Sequence, residues 1–190
     1  MTRLSISIKS TIVKDLEYEA ATKGKTISSI LSEGANLYIR TDKVGLKSED
    51  VLKAVRVLEI MRDMNAIPIP SILLDSLIIF SWKNSEEKVA KGWFDRGKVL
   101  GNILKTYAKD FKELSDLIKD YRFLIPIDLI ETETDGESAR IVLSGVGSSL
   151  QAARCTSEGL KGLLDAYGYN IYDIETSEGF VKINARETHE

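Results

Sequence analysis

Arg3, Ser5 and Ser7 alternate with Leu4, Ile6 and Ile8 at the start of this 190-residue chain. In an extended strand that period places the three polar side chains on one face and the three apolar ones on the other. An arginine fork can bond two acceptors on one planar edge, such as guanine O6 and N7, and a serine hydroxyl can donate or accept. A lone strand, however, leaves its backbone groups unpaired. No second strand pattern occurs before residue 120, so the nearest partner is the same segment of a second copy. Two copies paired antiparallel would present six polar side chains, two of them arginines, on a ribbon that fits the major groove of DNA.

Other residues with chemical potential are scattered. Trp82, Trp93, Phe94 and Arg96 cluster in sequence and can line a ligand pocket, although such clusters more often form core or subunit interface. Gly145-Val146-Gly147-Ser148-Ser149 can cradle an anion, but it lacks the lysine of a phosphate loop and the third glycine of a dinucleotide fingerprint. A tight strand-to-helix turn with a serine cap is the plainer reading. Cys155 stands beside Arg154, which would lower its pKa, yet a lone mid-helix cysteine is more often a buried structural thiol. Asp128, Glu131, Glu133 and Asp135 read as a solvated acidic face. With one cysteine and one histidine, His189, the chain offers no zinc set, and no metal or cofactor is expected. No nucleophile–base–orienter constellation is visible, so no enzyme is expected.

The charge is uneven. Residues 1–43 hold seven Lys/Arg against five Asp/Glu, whereas residues 44–190 hold nineteen against twenty-four. A basic head on an acidic body suits a protein that presents one end to a polyanion. No segment approaches the ~20 apolar residues of a membrane span, and the N-terminus has no apolar signal core. A cytoplasmic protein without membrane contact is expected.

Certain elements must position these residues. Ser10 or Thr11 is predicted to cap a first helix, whose apolar stripe is Ile12, Val13, Leu16 and Ala20. Gly24 fits the left-handed position that ends it, and Thr26 caps a second helix bearing Ile27, Ile30, Leu31, Leu37 and Tyr38. The alternating strand, the glycine turn and the capped second helix together resemble the ribbon-helix-helix family of the Arc, MetJ and CopG repressors, over roughly residues 2–42. That resemblance implies base contacts by Arg3, Ser5 and Ser7, phosphate contacts by Lys25, Thr26 and Ser28, an intertwined homodimer, and a two-fold symmetric double-stranded operator. Nickel-responsive members that append a regulatory domain are similar in architecture only, because their metal chemistry relies on histidine and cysteine.

The remainder reads as helices and then strands. Thr41 to Lys47 is a polar linker. Helices are predicted from Ser48, over Ser71 to about Trp82, from Glu86 to about Ala108, and from Phe111 to about Tyr121. The second of these is apolar nearly all round and is expected to be buried. Two hairpins follow, Leu124–Thr132 with Ala139–Val146 and Tyr169–Glu175 with Phe180–Ala185, separated by a helix. The fold class expected is α+β, with a ribbon-helix-helix domain over 1–42 and a domain of about four helices and a ββαββ unit over 48–190. The leading expectation is a dimeric DNA-binding transcriptional regulator, a repressor by its resemblance, whose C-terminal domain answers to a small-molecule effector or a protein partner. The alternatives are a partition or antitoxin-type DNA-binding protein, and a small-molecule-binding or enzymatic α+β domain with the N-terminal arm as dimeriser only.

Overall fold

A computed structural model of the chain describes residues 5–121 and 127–188. Contacts divide it into two compact units, Met1–Leu52 and Lys53–Glu190.

The first unit contains α1 (Ser10–Lys23), α2 (Ile27–Lys43) and the start of α3 (Ser48–Asp63). Gly24 adopts φ 59, and the Lys25 N–H returns to the Ala20 carbonyl at 2.9 Å, which satisfies an orphan acceptor at the helix end. The Thr26 side chain accepts from the Ser29 N–H at 3.1 Å and caps α2 as its type requires. Two expectations fail here. Lys9, not Ser10 or Thr11, holds the N-cap position of α1 and makes no side-chain cap. The helix α2 also continues through Thr41 to Lys43, so the linker is shorter than the polar composition suggested. Apolar burial is slight: Ala20 is the buried residue of α1, and α2 has none.

The expected N-terminal strand is absent from the described residues. Arg3 and Leu4 lie outside them, and residues 5–9 form no ladder. Ile6 is 57% exposed. Alternation sets which side chains would share a face, but only a hydrogen-bonded ladder to a neighbour makes a strand, and residues 5–9 form none with a described residue; the Lys9 carbonyl instead accepts from the Val13 N–H at 3.1 Å in the first turn of α1.

The second unit runs from α3 through α4 (Ser71–Asn84), α5 (Glu86–Leu104) and α6 (Phe111–Tyr121) to β1 (Leu129–Thr134), β2 (Ser138–Ser144), α7 (Leu150–Ala166), β3 (Tyr169–Ser177) and β4 (Phe180–Glu187). This is α+β, and all the strands among the described residues are C-terminal. They form one antiparallel sheet in the order β1-β2-β4-β3. The register sets Ala139 against Ala185, Ile141 against Ile183 and Leu143 against Val181. Because alternate residues share a face, these six lie together and are buried in the core. Phe111, Leu114 and Leu164 complete that core from α6 and α7 and are almost wholly enclosed.

Glycines bring α5 and α7 into backbone contact. A Cβ on Gly97 would stand 1.9 Å from the Gly159 carbonyl oxygen, and one on Gly162 would stand 2.0 Å from that of Phe94. No larger residue fits at this crossing unless the helices separate. The helix α4 departs from expectation. Asp75 and Ile78 are buried, but Ile72, Leu73, Leu77 and Phe80 are exposed. An all-round apolar helix buries only the faces that have neighbours.

Candidate ligand-binding site

The second unit holds an apolar pocket of about 460 Å³, partly open to solvent, between the sheet and helices α5 and α7. The elements explain its lining. Leu100 and Leu104 of α5 and Leu160 and Leu163 of α7 recur at helical spacing, while Ile130 of β1 and Ile141 of β2 stand on the inner sheet face. Small residues at the α5–α7 crossing, Gly97 and Gly159, form part of the wall. Pockets of this size and character hold small organic molecules.

The polar groups in the wall are few. Thr132 is buried, and its hydroxyl lies 2.5 Å from that of Ser115, so it is satisfied within the protein. Thr156 lies on α7, and Arg96 on α5 is exposed. A ligand in the chamber therefore meets mostly hydrocarbon.

Of the four residues predicted from sequence to line a pocket, the structure brings Trp93 and Arg96 to this one. Trp82 and Trp93 pack against the buried group of Ile78, Ala152 and Cys155. Phe94 is half-buried, and its carbonyl faces Gly162. Neither Trp82 nor Phe94 lines the cavity. The aliphatic lining from five separate elements was missed, since no local motif links residues so far apart in sequence.

A second recess adjoins the β2–α7 turn and shares Trp93, Ile127 and Thr156 with the cavity. Gly145 and Gly147 adopt φ 82 and 78 there, and the Ser149 side chain accepts from the Ala152 N–H, which is the serine-capped turn expected from the sequence. What the sequence did not reveal is the tie to α4. The Ser148 hydroxyl donates to Asp75 Oδ2 at 2.5 Å, and the Ser149 hydroxyl donates to Asp75 Oδ1. These bonds, that from Ser148 foremost, hold the Asp75 carboxyl below its ordinary value against the opposing effect of burial. The carboxylate is thus structurally engaged. Cys155 is fully buried, and burial pushes its thiol up to about 11, so Arg154 does not activate it. Arg154 instead meets Glu86. The acidic hairpin is solvated as expected: Glu133 pairs with Arg140, and Asp135 accepts the N–H groups of Glu137 and Ser138.

The structure places the residues assigned to DNA as follows. Ser5 and Ser7 are exposed but belong to no strand, and Arg3 lies outside the described residues. Lys25 is ion-paired with Glu33 at 2.8 Å. The Thr26 hydroxyl is occupied as the α2 cap, and the Ser28 carbonyl accepts from Ser32.

No protein-family model matches the chain, and no curated protein does. Among solved structures the chain is similar to H-NOX domains. One is the SO2144 H-NOX domain from Shewanella oneidensis in the Fe(II)CO ligation state, 15% identical, covering 62% of this chain and 75% of that one, with a TM-score of 0.41. Another is an H-NOX protein from S. oneidensis in the Fe(II)NO ligation state, 14% identical, covering 74% of this chain and 95% of that one, with a TM-score of 0.44. Both of these solved structures are H-NOX domains. Because residues 5–9 form no strand and the ribbon is not present among the described residues, the resemblance to the repressor family is corrected, and the reading as a DNA-binding regulator, whether repressor, partition protein or antitoxin, is withdrawn. Double-stranded DNA as the main partner goes with it. The argument for a homodimer from an unpaired strand edge loses its basis as well, because residues 5–9 are not in a strand.

Proposed function

We propose that residues 53–190 form a non-catalytic binding domain for an apolar small molecule, held in the cavity between α5, α7 and the sheet. One observation carries this reading: a pocket of about 460 Å³, partly open to solvent and lined almost entirely by apolar side chains, beside the buried core. The same lining residues are only partly buried at Leu100, Leu104 and Leu160, so apolar surface remains for a ligand to cover.

The ligand of this proposal is a metal-free organic molecule. Among the described residues no three His, Cys, Asp or Glu side chains come together as a metal site. The Cys155 thiol is held protonated by burial, while a thiolate is the form that ligates, and His189 lies outside the described residues. No helix among the described residues is long and apolar enough to cross a membrane. A cytoplasmic setting belongs to the same proposal, since Cys155 is a buried free thiol.

The test is titration of the protein with an environment-sensitive apolar dye, beside the variant Leu100→Trp, which fills the chamber. Saturable binding to the wild type, lost in a variant with unchanged circular dichroism, is expected. Equal dye binding by both proteins would sink the proposal.

A further inference from the structure

Arg96 is unusual among the arginines of the second unit. Arg62, Arg140 and Arg154 each meet a carboxylate. Arg56 and Arg186 lie over the Tyr107 and Tyr172 rings. The Arg96 side chain has no ion pair, hydrogen bond or ring contact with any described residue. It also borders two spaces at once, the apolar cavity and an outer groove of about 520 Å³ between α4 and α5. Trp93 is the other residue common to both.

The groove supplies a second cation. Lys88, Gly92 and Arg96 stand four residues apart along α5, so they share one face of the helix. Lys88 likewise makes no ion pair or hydrogen bond with a described residue. A Cβ on Gly92 would meet nothing within 4 Å, so the space between the two cations is open. The groove floor is apolar, with Leu74, Leu77, Ile78 and Val89. An acidic counter-charge is not among its lining residues.

We propose that the ligand is an anionic amphiphile of the long-chain carboxylate class, its hydrocarbon body in the cavity and its head group on Arg96, with Lys88 adding to the local positive field. This rests on the cavity reading above. A planar guanidinium matches a carboxylate with two parallel N–H donors. Hydrocarbon burial supplies affinity, and the head group fixes which end of the molecule faces out.

The experiment uses the full chain with two matched probes, dodecanoate and the neutral dodecanol, followed by tryptophan emission. In the wild type dodecanoate binds more tightly than dodecanol, and its affinity alone falls as salt is raised. In Arg96→Gln, with unchanged circular dichroism, dodecanoate affinity drops by about ten-fold or more while dodecanol stays within about two-fold, as loss of one charge-assisted contact requires. Lys88→Gln gives a smaller loss of the same kind. If the wild type binds both probes alike and Arg96→Gln changes neither, the anionic head is wrong but the cavity reading stands. If Arg96→Gln weakens both probes equally, Arg96 acts on the shape of the wall and the inference fails. If neither probe binds the wild type, the cavity reading itself is overturned.

Discussion

The two units are built on opposite economies. Residues up to 52 hold two helices whose apolar side chains remain largely in water: Leu37 is 57% exposed and Tyr38 61%. Their order comes from local devices, namely the Gly24 turn, the Thr26 cap and the Lys25–Glu33 pair. Residues from 53 onward bury Leu114, Leu164, Val181 and Ile183 completely and then leave a partly open pocket beside that core. Local hydrogen bonds can shape a helix pair, but a cavity persists only where a surrounding core is rigid enough to hold it open.

The sharpest way to break this contrast is truncation of equivalent residues in each unit. Leu164→Ala should cost about 2–5 kcal/mol in chemical unfolding of the second unit, through lost burial and the cavity left behind. Leu37→Ala, by contrast, should fall within about 0.5 kcal/mol. Equal losses would mean that the first unit has a core of its own.

A backbone crossing is the next most sensitive point. Gly97→Ala must push α5 from α7, because its new Cβ would lie 1.9 Å from a carbonyl oxygen. We expect about 1–3 kcal/mol or more of destabilisation, together with weaker dye binding, since Gly97 and Gly159 also form cavity wall.

Asp75 links α4 to the start of α7. Asp75→Ala leaves the Ser148 and Ser149 hydroxyls without their acceptor and should cost about 1–3 kcal/mol. Asp75→Asn sharpens the point through pH. The folded carboxyl lies below its ordinary value, so its stabilisation is present above about pH 4 and is lost as pH falls through the folded value. Wild-type stability should therefore decline toward that of Asp75→Asn as the medium is acidified below about pH 4. Parallel curves for the two proteins would contradict it.

The smallest effect belongs to the first unit. Thr26→Ala removes the α2 cap and should cost about 0.5–2 kcal/mol, read as helix loss by circular dichroism. The cavity should bind dye as before.

Much of the secondary structure was legible because it rests on local chemistry. The boundary at Gly24, the cap at Thr26, the start of α4 after Pro70 and both hairpins follow from turn residues and hydrophobic period. The N-terminal strand was misread because the same alternation suits any extended segment, and the family resemblance built on it inherited the error. The burial of α4 was misjudged for a related reason: composition gives the amount of apolar surface, not which side meets a neighbour. At the candidate site, Trp93 and Arg96 were found through aromatic clustering, whereas the aliphatic wall was not. Paired glycines at 97 and 101 on α5 and at 159 and 162 on α7 offered a signal for close helix approach.

The sequence by itself determined where most helices and turns lie, the α+β order of elements from residue 48 onward, and the scarcity of metal donors, because these depend on neighbouring residues and on composition. Tertiary structure decided that Arg96 lacks a counter-charge among the described residues, that Asp75 is held by two serines, and that a chamber lies between α5, α7 and the sheet. Those properties arise from residues tens of positions apart being brought within a few ångströms, and hydrophobic period carries no record of which surfaces meet.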